Sequence, residues 1–280
     1  MTVRIAFQGE LGAFSEEAVQ QAFGPNEEPL PCRENADVAR RVAKGEAQAG
    51  VLPVENTLAG TVAASYDAIL GEPTLHVVRE VVIPIHHCVM GRPGASLEQL
   101  RTIASHPIAL AQCAAWFAQH PRIEARAAYD TAGAARDVSR ANDPTRGAIA
   151  SRFAALRYNL TVLAENVEDR HDNQTRFVVL QRAPSALKAG TPAKTILMLE
   201  VGNRPGTLVR VLTPLSSRAL NLTKIESRPT GEPWTYRFVL EFEHIAGDPL
   251  VDAALRDVRS EAANVRVVGT YARQEARITS

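Results

Sequence analysis

Three cysteines in 280 residues are too few and too scattered to organise a fold. Cys32, Cys88 and Cys113 are odd in number and far apart, so neither a disulfide framework nor a zinc pair is expected. Charge of one sign is missing too: Lys plus Arg and Asp plus Glu both number 31, a formal net charge of zero. Without a basic surplus, neither nucleic acid nor a membrane surface is expected as a partner. Long apolar runs are also absent; no window has the ~18 residues that a membrane-spanning helix needs. Met1-Thr2-Val3-Arg4-Ile5-Ala6-Phe7 reads as a strand and carries no signal-peptide pattern, which points to a cytoplasmic protein. What remains, 45% apolar and 22% charged, is an ordinary globular composition, and the length suggests about two domains.

What is present is a regular alternation. Val3 to Phe7 is a short apolar strand, followed by Gln8-Gly9-Glu10-Leu11-Gly12-Ala13-Phe14-Ser15 and a helical stretch from Glu16 to Phe23. A glycine loop between strand and helix aims backbone N–H groups at whatever docks there, preferably an anion, with Ser15 expected as the N-cap. Leu11 stands where the G-x-G-x-x-G dinucleotide fingerprint needs its second glycine, so that reading is excluded. Asn35 to Gly45 reads as a helix. The strand Gly50-Val51-Leu52-Pro53-Val54 ends in Glu55-Asn56-Thr57, a carboxylate, an amide and a hydroxyl at a strand's carboxyl end, where α/β folds place ligands. The same three residues would also suit an Asx-type turn.

Leu75 to Val89 is rich in strand character and contains His86-His87, which would face opposite sides of a strand and take packing or surface roles. Cys113 and His106 lack a third, orienting group, so a buried thiol is expected rather than a catalytic pair. Gly147 to Ser151 repeats the pattern of a strand ending in a hydroxyl. His171-Asp172-Asn173-Gln174-Thr175-Arg176-Phe177 then leads into Val178-Val179-Leu180. A hydroxyl, a fixed cation and an aromatic ring at one strand entrance can offer a proton donor, a carboxylate clamp and an apolar wall to a small anion. Strands alternating with helices predict an α/β domain with mainly parallel sheets, divided into two lobes, with Thr175 at the rim of the cleft between them.

Residues 183–192 read as a linker by composition. Beyond it, strand, helix, two strands, helix and strand follow over about 80 residues, the βαββαβ order of a ferredoxin-like domain. The predicted organisation is therefore a first domain over 1–182, the linker, and a second domain over 193–280.

The motifs named so far, with Phe7-Gln8-Gly9 through Ser15, Pro53 through Thr57 with Gly60, Ser105-His106-Pro107 with Gln112-Cys113, Asp130-Thr131-Ala132, Ala148 to Ser151, Asn173 with Thr175-Arg176-Phe177, and Glu226-Ser227-Arg228-Pro229, occur in one order along almost the whole chain. In that order and spacing the chain resembles bacterial prephenate dehydratase with a C-terminal ACT regulatory domain. The resemblance implies a two-lobed catalytic domain like that of periplasmic binding proteins, which converts prephenate to phenylpyruvate with loss of water and carbon dioxide. It implies no cofactor and no metal. It implies Thr175, Arg176 and Glu55 as catalytic, and Asn56, Thr57, Ser15, Ser151, Asn173 and Phe177 as substrate-binding. Thr175 and Glu55 compete as the group that hands a proton to the departing hydroxyl. Arg176 either holds a substrate carboxylate or orients the Thr175 loop.

The ACT part implies L-phenylalanine as an allosteric inhibitor, bound by Asn203, Pro205, Gly206, Thr207, Leu208 and Val209 and by Glu226, Ser227, Arg228 and Pro229. Self-association into a homodimer or homotetramer would place that ligand at the seam between subunits. Three positions depart from many relatives: Thr57 replaces Ser, Ala13 replaces Thr or Ser, and Thr207 replaces Ala. No helical segment precedes Thr2 to Phe7, so a fused chorismate mutase domain is not expected. Preference for arogenate over prephenate, or binding of a small anion without catalysis, are the competing readings.

Overall fold

Among the described residues, 3–233 and 235–274 of a computed structural model, three β-sheets carry the architecture. The chain opens with β1 (Arg4–Gln8), α1 (Phe14–Phe23), β2 (Glu28–Cys32), α2 (Asn35–Ala43), β3 (Ala49–Asn56), the two-residue β4 (Gly60–Thr61), α3 (Ala63–Gly71) and β5 (His76–Pro84). It continues with β6 (Cys88–Gly91), β7 (Thr102–Ser105), α4 (Pro107–Ala111), α5 (Ala114–Gln119), β8 (Glu124–Ala127), α6 (Thr131–Arg140), β9 (Arg146–Ala150), α7 (Arg152–Arg157) and β10 (Thr161–Ala164). β11 (Gln174–Gln181) returns the chain to the first sheet, whose order is β2-β1-β3-β11-β5 with β4 on β3. The second sheet has the order β10-β6-β9-β7-β8. Each sheet builds its own lobe, and the chain passes between them at residues 85–87 and 165–173.

The pairings β1·β2, β1·β3, β7·β8 and β7·β9 are parallel, as alternating strands and helices predict, whereas β6 runs antiparallel to both β9 and β10, and β4 to β3, so both sheets are mixed. β2 is a strand that composition conceals, because Pro29 and Pro31 interrupt it. It lies at the sheet's edge, where a missing N–H costs least. In the first lobe Ile5, Phe7, Val38, Val42, Val51 and Leu52 are fully buried between sheet and helices. The second lobe packs α6 and α7 on one side of its sheet through Ala134, Ala135, Val138, Ala148 and Ala154. Its other side is filled by Val89, Leu100, Ile103, Cys113 and Ile149.

One expectation is corrected here. α1 begins at Phe14, with Ala13 rather than Ser15 in the N-cap position, because the buried Glu16 carboxylate reaches back to accept the Gly12 N–H. In the second lobe, Gln112 and Cys113 stand at the break between α4 and α5.

By compactness the chain divides into Met1–Ala68 with Val81–Phe177, and Ile69–Glu80 with Val178–Ser280. The second unit holds β12 (Pro192–Glu200), α8 (Thr207–Ser216), β13 (Asn221–Pro229), β14 (Tyr236–Ile245), α9 (Pro249–Glu261) and β15 (Asn264–Ala272). This is the βαββαβ order predicted from the sequence. The sheet is antiparallel in the order β13-β14-β12-β15, and α8 and α9 cover one face through Val211, Leu215, Val251, Ala254 and Val258. Against β15 of the same unit lies the segment 69–80. Arg266 donates to the carbonyls of Leu70, Glu72 and Leu75 at 3.2, 3.0 and 3.0 Å. Gly269 approaches so closely that a Cβ there would stand 2.1 Å from the Val77 carbonyl oxygen. Lys194 pairs with the buried Glu80 at 3.1 Å.

Candidate active site

A cavity of about 250 Å³ opens between the two lobes of the first unit. β3 and β11 form its floor. Strand alternation sends Asn56 from β3, and Thr175 and Phe177 from β11, into it. Asn56 is the central connector. Its Nδ2 lies 2.7 Å from Asn173 Oδ1, 2.9 Å from Thr175 Oγ1 and 3.2 Å from the Gln174 carbonyl. Its Oδ1 accepts from the N–H groups of Leu58 and Ala59 at 3.0 and 2.8 Å, the Asx-type turn that the sequence also allowed. Thr175 Oγ1 therefore accepts from Asn56, which leaves its O–H to donate. Asn173 and Phe177 are each 2% exposed and line the cavity, as does the buried Ser15.

The same alternation separates residues that the sequence grouped together. Arg176 and Glu55 are not among the lining residues; they meet each other at 2.8 Å. A triplet inside a strand cannot turn three consecutive side chains to one ligand, so the carboxylate-clamp role drawn for Arg176 is not supported by this geometry. Thr57 is exposed and ties two chains together: its N–H donates to the Gln174 carbonyl at 2.9 Å, and its Oγ1 accepts from the Gln174 N–H at 3.0 Å. Ser151 lies outside the lining as well. It caps α7, accepting from the Ala154 N–H at 3.1 Å, and donates to the Gly12 carbonyl at 3.3 Å.

The second lobe contributes residues that the sequence shows as motifs but does not assign to the site. His106, Gln112, Asp130 and Thr131 line the cavity, at the starts of α4 and α6 and at the break between α4 and α5. α1 also begins there, with Phe14 and Ser15. Helix starts present unpaired N–H groups and a partial positive charge. No Lys or Arg is among the lining residues, and Asp130 is the one carboxylate among them. Asp130 caps α6 by accepting from the Gly133 N–H at 2.8 Å, and burial pushes its carboxyl above the ordinary range against that hydrogen bond. The polar part of the lining thus consists of amides, hydroxyls, two histidines, one carboxyl and helix starts, set among the apolar Phe14, Ile85, Ile108 and Phe177.

His87 is corrected from a packing role to a lining role. Residues 85–87 lie between β5 and β6 and not within a strand, so the alternation assumed for the two histidines does not apply. Both engage the buried Glu168: His86 through Nδ1 at 2.8 Å and His87 through its backbone N–H at 2.8 Å. Cys113 is fully buried, and burial pushes its thiol up to about 12, the inert thiol expected. Among the described residues, no group of three or more His, Cys, Asp or Glu is placed to hold a metal ion. No helix among them is long and apolar enough to cross a membrane.

The second unit presents the other predicted residues. Gly206 precedes α8 with φ of +81°, left-handed backbone that suits glycine. Thr207 is buried and donates its hydroxyl to the Arg204 carbonyl at 3.0 Å. On β13, Ser227 stands opposite Phe238, which packs on the helix side. Glu226 and Arg228 therefore take the other face, where Glu226 pairs with Lys224 at 3.3 Å and with Arg228 at 3.6 Å.

Residues 5–185 match the family model for prephenate dehydratase, and residues 195–260 match that for the ACT domain. The chain is 37% identical over 284 residues to an Arabidopsis thaliana protein named arogenate dehydratase/prephenate dehydratase 1, covering 96% of this chain and 72% of that one. A solved structure of prephenate dehydratase from Arthrobacter aurescens in complex with L-Phe superposes with a TM-score of 0.88 at 33% identity, over 97% of this chain and 90% of that one. A second, described as a novel type of quorum quenching acylase, has a TM-score of 0.89 at 32% identity, over 98% and 99%.

Proposed function

Since the chain belongs to the prephenate dehydratase family of lyases, we propose that it converts prephenate to phenylpyruvate, water and carbon dioxide, under inhibition by phenylalanine. The observation that carries the reading is the Asn56–Thr175 pair on the floor of a cavity lined with donors and free of lysine and arginine. Prephenate brings two carboxylates. Its ring carboxylate departs as carbon dioxide, and the bonding pair left behind moves through the ring. The 4-hydroxyl then leaves as water once it receives a proton, and the ring becomes aromatic. The step needs a donor at that hydroxyl and a fixed place for the carboxylates.

Thr175 is the donor in this reading. Asn56 fills one acceptor position of Oγ1 and points the O–H outward. The rival group, Glu55, is held as a carboxylate partner by Arg176, so that pair serves to fix β3 against β11 beneath Thr175. The helix starts, with Gln112, Ser15 and Thr131, receive the carboxylates. Phe177 supplies the apolar wall. Cleavage of an acyl amide is not favoured, because it needs an activated nucleophile. The Cys113 thiol is buried, and Thr175 has no base among its hydrogen-bond partners.

For regulation, the start of α8 behind Gly206 is the proposed seat of the effector carboxylate, and the β13 backbone beside Ser227 that of its ammonium. β13 is a nine-residue edge strand, which supports pairing between copies as a homodimer or homotetramer. The test is incubation with prephenate and with arogenate, following phenylpyruvate by its absorbance in alkali and phenylalanine by chromatography. Comparable protein that turns over neither substrate would overturn the reading. The ratio of kcat/KM for the two assigns the preference.

A further inference from the structure

His87 sits where the chain passes from one lobe to the other; it is 2% exposed and lines the cavity. Its Nε2 stands 3.1 Å from Gln112 Oε1. An amide oxygen only accepts, so that nitrogen carries the proton. The other ring nitrogen, Nδ1, is buried without a hydrogen-bond partner among the described residues. A protonated Nδ1 would be a buried, unanswered donor, so the ring is neutral with one N–H and one bare lone pair. Burial pushes the imidazole below its ordinary value, in the same direction. The ring has little room to turn. Its backbone N–H is tied to Glu168 at 2.8 Å, and Phe14 meets it edge-on with centroids 5.9 Å apart.

This geometry decides which end of Gln112 is left for a ligand. The amide has an accepting oxygen and a donating nitrogen. With the oxygen held by His87, the two N–H bonds remain. The opposite tautomer would accept from the amide nitrogen and turn the oxygen outward, presenting a partial negative charge to a dianion. In a cavity without lysine or arginine, that reversal spends one of the two donors on the ring and adds a repulsion.

We propose that His87 is a positioning residue: as the neutral Nε2–H tautomer it sets the Gln112 amide so that its nitrogen faces a substrate carboxylate. The proposal rests on reading the cavity as the prephenate site. Its test is a set of variants of the full chain assayed with prephenate at neutral pH. His87→Phe keeps the ring volume and removes the donor; kcat/KM is expected to fall about 10- to 100-fold, the range for one hydrogen bond serving a charged group. His87→Gln, whose amide N–H reaches the place of Nε2, is expected to stay within about fivefold of the unaltered protein. In a Gln112→Leu background, His87→Phe is expected to cost no more than about a further twofold, because a residue that acts through another has no effect once that other is gone.

A full additional loss in that background, or unaltered kcat/KM in His87→Phe alone, overturns the proposal. An independent reading comes from 15N spectra of the imidazole in the unaltered protein, which report tautomer and charge without turnover. Protonated Nε2 with bare Nδ1 is expected, and protonated Nδ1 overturns the proposal even if every variant unfolds. If the unaltered protein turns over no prephenate, it is the functional reading that fails, and the spectra still decide the tautomer.

Discussion

Asn56 engages both ends of its amide inside the protein, accepting two backbone N–H groups and donating toward Thr175 and Asn173. Its side chain is a fixture that orients a hydroxyl. Thr175→Ala is accordingly expected to lower kcat by about 10²–10⁴-fold, the range for a positioned proton-transfer group, as measured by phenylpyruvate formation. Thr175→Ser, which keeps the O–H, is expected to retain far more activity; equal loss in both would remove Thr175 from the mechanism. Glu168 is a second fixture. Burial alone would raise its carboxyl, but hydrogen bonds from His86, from the His87 N–H and from His171 outweigh it and hold the group below its ordinary value of 4.5. A carboxylate depressed in the folded state adds stability that is present above the unfolded value and is lost as pH falls through the folded one. Glu168→Gln is therefore expected to be less stable than the unaltered protein at neutral pH, and the gap should narrow as pH falls below the ordinary value of 4.5. Urea midpoints from pH 7 to pH 3 measure this; a gap that does not narrow in acid would contradict it.

At the scale of elements, β15 takes the segment 69–80 closely against its backbone. Gly269 lies beside the register shift between Ile196 and Leu197, and Arg266 answers three carbonyls of residues 70–75 with one guanidinium. Arg266→Ala is expected to destabilise the protein by roughly 1.5–4.5 kcal/mol, three hydrogen bonds at about 0.5–1.5 each, read from urea unfolding. A loss under about 0.5 kcal/mol, the scale of an ordinary surface change, would show that water replaces the guanidinium. The start of α8 carries the other prediction for this unit. Gly206 holds a φ of +81°, and an added Cβ would come 3.4 Å from Arg210. Gly206→Val is expected to raise the phenylalanine concentration needed for half inhibition without a matching loss of turnover, because a branched residue resists that backbone. A titration midpoint equal to that of the unaltered protein would move the effector site elsewhere.

For the whole molecule, the proposed chemistry depends on two lobes meeting over one small ligand. Asn56, Thr175 and Phe177 come from the first sheet, and Gln112, Asp130 and Thr131 from the second lobe. Neither set alone encloses a dianion. Mutations on the two sides of the cavity are therefore expected to affect kcat/KM cooperatively when their side chains touch the same carboxylate, and additively when they do not. Any effect of phenylalanine on turnover must reflect a difference in affinity between two states of the protein, of about 1–3 kcal/mol in typical cases.

Much of this was legible in the residues alone. The alternation of strands and helices and the change to βαββαβ after residue 192 follow from periodicity, because local spacing governs local structure, whereas Asn56, Asn173, Thr175 and Phe177, which the family resemblance names, all line the cavity. Glu55 and Arg176 were grouped with them by adjacency, which a strand does not honour: neighbours in sequence take opposite faces. β2 was hidden by its prolines, since only its place at a sheet edge makes them harmless. The pairing of His87 with Gln112 has no signature in the sequence, as a histidine and a glutamine 25 positions apart become partners only when two lobes fold. Sequence determined the elements and the hydroxyl at the centre of the site. Tertiary structure alone decided which side of each strand met the ligand, because burial and facing are properties of packing and have no spacing of their own.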